Sequence, residues 1–280
     1  MNRTGINIAL TIMLMVLTIA VFAGCGGEAD SISTSEDTSL PRQVDTLVLA
    51  VTDTIGLEMG DSSYVFGMIM QAARGVDGSI IALDMQKGCL SVYSSEGEYI
   101  GNIGAPGPGP GEFQIPVDFA VFPDGGIAVT DAISRAISYF DAEGSYISMM
   151  DGFFPTPPMS IEGCPDGSFV GQHMPMVMTG EEMEMSLELS KWTDDAEPDF
   201  TYFSKPMEMT FSGSDQASMQ RGPDFDFAIG PDGSVLVAEI SDTLFSVTGF
   251  SSEGEEFLNI LEERDRAPMT QEEIDAGGLG

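Results

Sequence analysis

Short apolar runs separated by acidic-glycine pairs recur along this chain in a fixed order, and residues 116–149 carry the clearest copy. Phe119-Ala-Val-Phe122 leads into Asp124-Gly125. Ile127-Ala-Val-Thr130 follows and ends in Asp131; Ile137-Ser-Tyr-Phe140 comes third; Glu143-Gly144 and Tyr146-Ile-Ser-Met149 close the unit. Short β-branched and aromatic runs bounded by such pairs predict strands, because glycine takes the positive φ of a tight turn without steric cost. The same order returns in Ser79–Asp84, Leu90–Tyr93, Glu96-Gly97 and Glu98–Ile100, and again in Phe225–Ile229, Val235–Glu239, Leu244–Val247, Glu253-Gly254 and Phe257–Ile260. Four short strands joined by tight turns predict one antiparallel sheet per unit.

The spacing of the units predicts how they assemble. Asp-Gly pairs fall at Asp77-Gly78, Asp124-Gly125, Asp166-Gly167 and Asp232-Gly233, at intervals of 47, 42 and 66 residues. The first two intervals match the roughly 40–50 residues of a four-stranded propeller blade. The third contains an insertion in which Met174, Met176 and Met178, then Met183, Met185, Leu187 and Leu189, alternate with other residues. Period-two alternation predicts an extended hairpin with one buried face, its methionines packed as adaptable core fillers. An exposed Met-rich contact surface is the sharper alternative.

The expected fold is therefore an all-β propeller with blades at about 68–104, 116–150, 158–204 and 224–260. In residues 101–147, Gly109-Pro-Gly-Glu-Phe113, Pro116, Asp124-Gly125, Val129-Thr-Asp131 and the Arg135–Phe140 run resemble the NHL-type repeat of six-bladed propellers. The units at 68–100 and 224–260 keep the turns and strands but lack the arginine. The resemblance implies a six-bladed ring. Four units and a lone apolar run at Thr46–Val51 lead to the expectation that roughly two C-terminal blades are missing, a naturally open or four-bladed ring being the alternative. Residues 261–275 are expected to start a short helix, since Thr270 and Glu273 have capping-box spacing after Pro268.

The N-terminus reads as a targeting signal. Arg3 precedes an uncharged stretch that closes with Phe22-Ala-Gly-Cys25. This resembles a bacterial lipobox, with residues 1–24 as signal peptide and Cys25 as the lipidated residue; an uncleaved membrane helix is the rival. Residues 25–45 are polar and acidic, and read as a tether. The expected location is the extracytoplasmic side of a bacterial cell envelope, at a membrane.

Charge narrows the partners. The net charge is −35, with 10 Lys and Arg against 45 Asp and Glu. Such a field repels nucleic acid, so none is expected as a partner. Cys89 and Cys164 lie in units that are not neighbours, which favours two separate thiols over a disulfide.

Candidate chemistry is sparse. His173 is the only histidine, and no nucleophile elbow, phosphate loop or EF-hand spacing occurs. Asp84, Asp131 and Glu239 end the second strand of their units, so a ring would gather them with Arg135 on one face as a ligand-binding set. The competing reading is that each acid caps its own turn. Asp118 and Asp226 sit in first strands and are weak candidates for an axial Ca²⁺. The expected function is a lipid-anchored binding module for an unidentified protein or glycan, without catalysis and without a cofactor. A Ca²⁺-dependent propeller hydrolase, lactonase or lyase is the alternative.

Overall fold

The computed structural model describes residues 54–179, 182–207, 225–240 and 244–263. The expected signal (residues 1–24), the expected tether (25–45), the Thr46–Val51 run and residues 264–280 lie outside them.

Each Asp-Gly pair makes the turn its chemistry dictates. The glycines have φ between 81° and 89° at Gly78, Gly125, Gly167 and Gly233. The preceding aspartates accept the N–H two residues on, from Ser79, Gly126, Ser168 and Ser234, the usual side-chain mimic of a turn. These turns join the first two strands of every blade.

Blade 1 is β1 (Ile69–Arg74), β2 (Ile80–Asp84), β3 (Cys89–Tyr93) and β4 (Tyr99–Ile103), antiparallel and in sequence order. A short parallel pair, β5 (Ala105–Pro106) with β6 (Glu112–Phe113), closes the glycine-proline crossing loop. Blade 2 is β7 (Pro116–Val121), β8 (Ile127–Asp131), β9 (Ala136–Phe140) and β10 (Tyr146–Asp151). Blade 3 runs β11 (Ser160–Gly163), β12 (Phe169–His173), then β13 (Met176–Thr179), β14 (Glu182–Trp192) and β15 (Phe200–Met207). Blade 4 is β16 (Phe225–Ile229), β17 (Val235–Ile240), β18 (Leu244–Phe250) and β19 (Glu256–Glu263). The chain is thus an all-β propeller of four-stranded antiparallel blades, four of which fall within the described residues, blade 3 carrying β13 as a fifth strand. The expected C-terminal helix needs correcting at its start. Residues 261–263 continue β19, where Leu261 pairs with Ser246 and Glu263 with Leu244.

The cores lie between blades. One joins Ile81, Leu83 and Leu90 of blade 1 to Phe119, Val129 and Phe140 of blade 2, with Phe113 of the crossing loop among them. A second joins Phe122 and Ile137 to Ile161, Phe169 and Trp192. The third joins Val170, Leu189 and Tyr202 to Phe225, Val237 and Phe250. Each sheet therefore needs a neighbour to bury its face, which is why the unit repeats. Cys89 and Cys164 are free and buried in different blades.

The inserted segment of blade 3 is a hairpin arm. β12 pairs with the inner end of β14, from Glu188 to Trp192, and β13 pairs with its outer end, from Glu182 to Met185. The expected burial of the methionine stripe fails at this outer end. Leu189 is buried and Leu187 packs on the core, whereas Met176, Met178 and Met207 are 36%, 64% and 40% exposed. Among the described residues, these three methionines lie outside the core cluster that Leu187 and Leu189 join.

Candidate functional site

The acids selected from the sequence occupy one position of the blade. Asp84, Asp131 and Glu239 each lie six residues after the turn glycine, and the same position in blade 3 is His173. That fourth member was missed because neither its residue type nor its surroundings repeat the pattern. Counting from Gly167 would have found it.

Asp84 and Asp131 are held inside. Asp84 is fully buried, and its carboxylate accepts N–H groups of Gly67 and Met68 before β1 and of Gln86 and Lys87 in the following turn. Burial alone would raise its pKa. The N–H donors from Gly67, Met68 and Lys87, with the Lys87 charge, outweigh that and hold it below the usual carboxylate range. Asp131 is 2% exposed and repeats the arrangement with Gln114, Ile115, Ile133 and Ser134. Each acid therefore ties a blade's first strand to the turn between its second and third. With four backbone donors each, these carboxylates are committed to the fold.

Glu239 differs. It is half-buried in β17 and faces Lys205 at 3.6 Å. In blade 3, His173 Nε2 lies 3.0 Å from Ser190 Oγ and its ring meets Trp192 edge-on at 4.9 Å. Burial lowers its pKa, against the opposing charge of Glu188.

Arg135 is the exposed member of the set. It closes the turn after Asp131 with φ of 53°, the only non-glycine at positive φ among the described residues. The matching turn of blade 1 ends in Gly88 with φ of 64°. Arginine in the left-handed region costs on the order of 1 kcal/mol, and such strain concentrates at functional positions. No carboxylate of the described residues lies within ion-pair distance of its guanidinium.

Asp118 and Asp226 belong to a second series, along the first strands. Gln71 Oε1 accepts the Phe119 N–H at 2.9 Å, Asp118 accepts that of Ile161 at 2.7 Å, and Glu162 accepts that of Ile229 at 3.1 Å. A polar side chain of each blade thereby clamps the first strand of the next. Asp226 instead bonds the neighbouring N–H of Phe227 and is exposed. Desolvation pushes the Asp118 pKa up to about 6, with the Glu162 charge adding and the Ile161 and Phe119 N–H groups opposing. The Glu162 carboxyl is raised too, first by burial and then by Asp226. Among the described residues, no three acidic, histidine or cysteine side chains converge as a metal site. A groove of about 300 Å³ lies beside blade 1, lined by Ile55, Leu57, Tyr64, Ile80 and Glu96. None of the sequence-selected residues reaches it.

Comparison with known proteins agrees on the architecture. Residues 55–156, a little over a third of the chain, match the family DUF5128, described as a 6-bladed beta-propeller. No curated protein matches. Among solved structures, a putative exported protein of Bacteroides fragilis is 11% identical over 73% of each chain, with a TM-score of 0.38. A catalytically inactive virginiamycin B lyase of Staphylococcus aureus, solved with quinupristin, is 12% identical. That match covers 76% of this chain and 59% of the lyase, with a TM-score of 0.39. The nidogen/laminin complex gives 12% identity over 69% of this chain and 79% of that one, with a TM-score of 0.41. The described topology, rather than these distant likenesses, defines the fold.

Proposed function

We propose that this propeller is a lipid-anchored binding module on the extracytoplasmic side of a bacterial envelope, and that it recognises a protein or glycan. The observation that carries the reading is Arg135: an exposed cation with no carboxylate partner among the described residues, held in a strained turn of a chain with net charge −35. Blade 1 builds the equivalent turn with glycine, so folding alone does not require arginine here. Loops held on a rigid scaffold are where binding usually resides, and this turn is pinned by Asp131. The binding face is therefore the end of the blades that carries the second-to-third-strand turns. An NHL-like ancestry and the Cys25 anchor are supported by the sequence motifs.

The test is capture by the detergent-extracted native protein. Arg135→Gly keeps the turn and removes only the cation, so the captured ligand should fall at least tenfold while the fold survives. Unchanged capture would refute the site. Cys25→Ser should release the chain from the membrane fraction, and continued attachment would refute the anchor. The Ca²⁺-dependent enzyme alternative predicts a rise in Tm with Ca²⁺ that disappears in Asp118→Asn/Asp226→Asn.

A further inference from the structure

The methionines of the blade 3 arm form a row that the binding reading does not use. Met185 on β14 pairs with Met176 on β13 and with Met207 on β15. Directly opposed residues share one face of an antiparallel sheet with Cβ atoms about 4.5–5.5 Å apart. Three thioethers thus stand side by side across three strands, and Met176 and Met207 are open to solvent.

The same face changes residue type where its environment changes. Leu187 and Leu189 occupy it where it meets the core; methionine occupies it where the arm leaves the core. Aliphatic filling would explain the inner part alone. An exposed row gains little from burial, so the shared property of its members is the sulfur. Thioethers are soft, neutral donors on flexible stems, and soft sulfur ligands select Cu(I) among biological cations. The two described thiols, Cys89 and Cys164, are buried in the blades, and other exposed methionines such as Met59 and Met149 have no methionine paired opposite them.

We propose that Met176, Met185 and Met207 form a surface thioether site for Cu(I). The three sulfurs close on one ion by side-chain rotation, without movement of the strands. Because a thioether has no proton to lose, binding is independent of pH, unlike that of carboxylate, imidazole or thiol sites.

The experiment is competition for Cu(I) held by bicinchoninate, with the full chain and Ag(I) as a redox-inert second probe. The wild type should withdraw one equivalent, equally at pH 8 and pH 5.5. Met176→Leu/Met185→Leu/Met207→Leu conserves volume and apolarity, so it should keep the circular dichroism spectrum and Tm while losing at least tenfold in affinity. Met149→Leu, at an exposed methionine of blade 2, should change nothing. The proposal is overturned if the wild type withdraws no Cu(I), which would leave the row an apolar contact surface for a partner. It is also overturned if the triple variant competes equally, or if withdrawal collapses between pH 8 and pH 5.5.

Discussion

Blades 2 and 3 are adjacent, share the Asp-Gly turn and pack on one core, yet end their second strands in opposite ways. In blade 2 the sixth residue after the turn glycine is Asp131, and four backbone N–H groups close on it. The chain reverses within four residues. In blade 3 that residue is His173, whose ring turns sideways to Ser190 and Trp192. The chain there continues into the inserted segment, which pairs β13 with the outer end of β14 as the arm.

The largest expected effect breaks that device directly. Asp131→Ala or Asp84→Ala would strand four backbone donors each. Hydrogen bonds to a charged acceptor contribute roughly 1.5–3 kcal/mol apiece, non-additively, so each variant should lose about 3–5 kcal/mol by denaturant unfolding. Glu239→Ala, at the same position but partly exposed and ion-paired, should lose under about 1 kcal/mol. Equal losses at the two positions would dissolve the comparison.

Next in size is the clamp between the two blades. Asp118 has a folded pKa near 6 against an ordinary 3.8. A raised carboxyl stabilises the fold fully below pH 3.8, and that contribution is lost as pH rises through about 6. At pH 7 the buried charge therefore opposes folding, by at most about 3 kcal/mol. Asp118→Asn keeps an acceptor for the Ile161 N–H and should raise Tm at pH 7 while flattening its dependence between pH 4 and pH 6. A lower Tm at pH 7 would contradict the account.

Arg135→Gly should stabilise by about 1 kcal/mol, because glycine relieves the left-handed strain; destabilisation would mean that the side chain supports the turn. The smallest effect belongs to His173. Its pKa is lowered, so its contribution is present above pH 6.5 and is lost as pH falls below it. His173→Gln should remove an acid-side loss of stability, and an unchanged acid limb of the Tm profile would show that the imidazole titrates alike in the folded and unfolded chain.

Much of this was legible in the chain because turn chemistry is local. Asp-Gly spacing and the alternation of Met183 to Leu189 predicted the blades and the extended hairpin. That Asp84 and Asp131 cap their own turns was legible as the competing reading, but the longer reach of the acids was not, because Asp84, Asp131, Asp118 and Asp226 look alike until their distant partners are known. Those distant partners are backbone N–H groups 16 and 17 residues away for Asp84 and Asp131, and 43 away for Asp118. The helix expected over residues 261–275 does not begin at residue 261, where pairing with β18 extends β19 to Glu263; its capping pair Thr270 and Glu273 lies outside the described residues.

The sequence by itself determined where the strands turn and that each sheet would have two faces to bury, since glycine φ and side-chain alternation depend on a few neighbouring residues. Only the tertiary structure decided which carboxylates are consumed and which side chains stay exposed. Blade-to-blade packing buries Asp118 and packs Leu187 on the core, and it leaves Met176 and Met207 exposed. Burial is a property of the neighbour, and no local pattern records how far that neighbour extends.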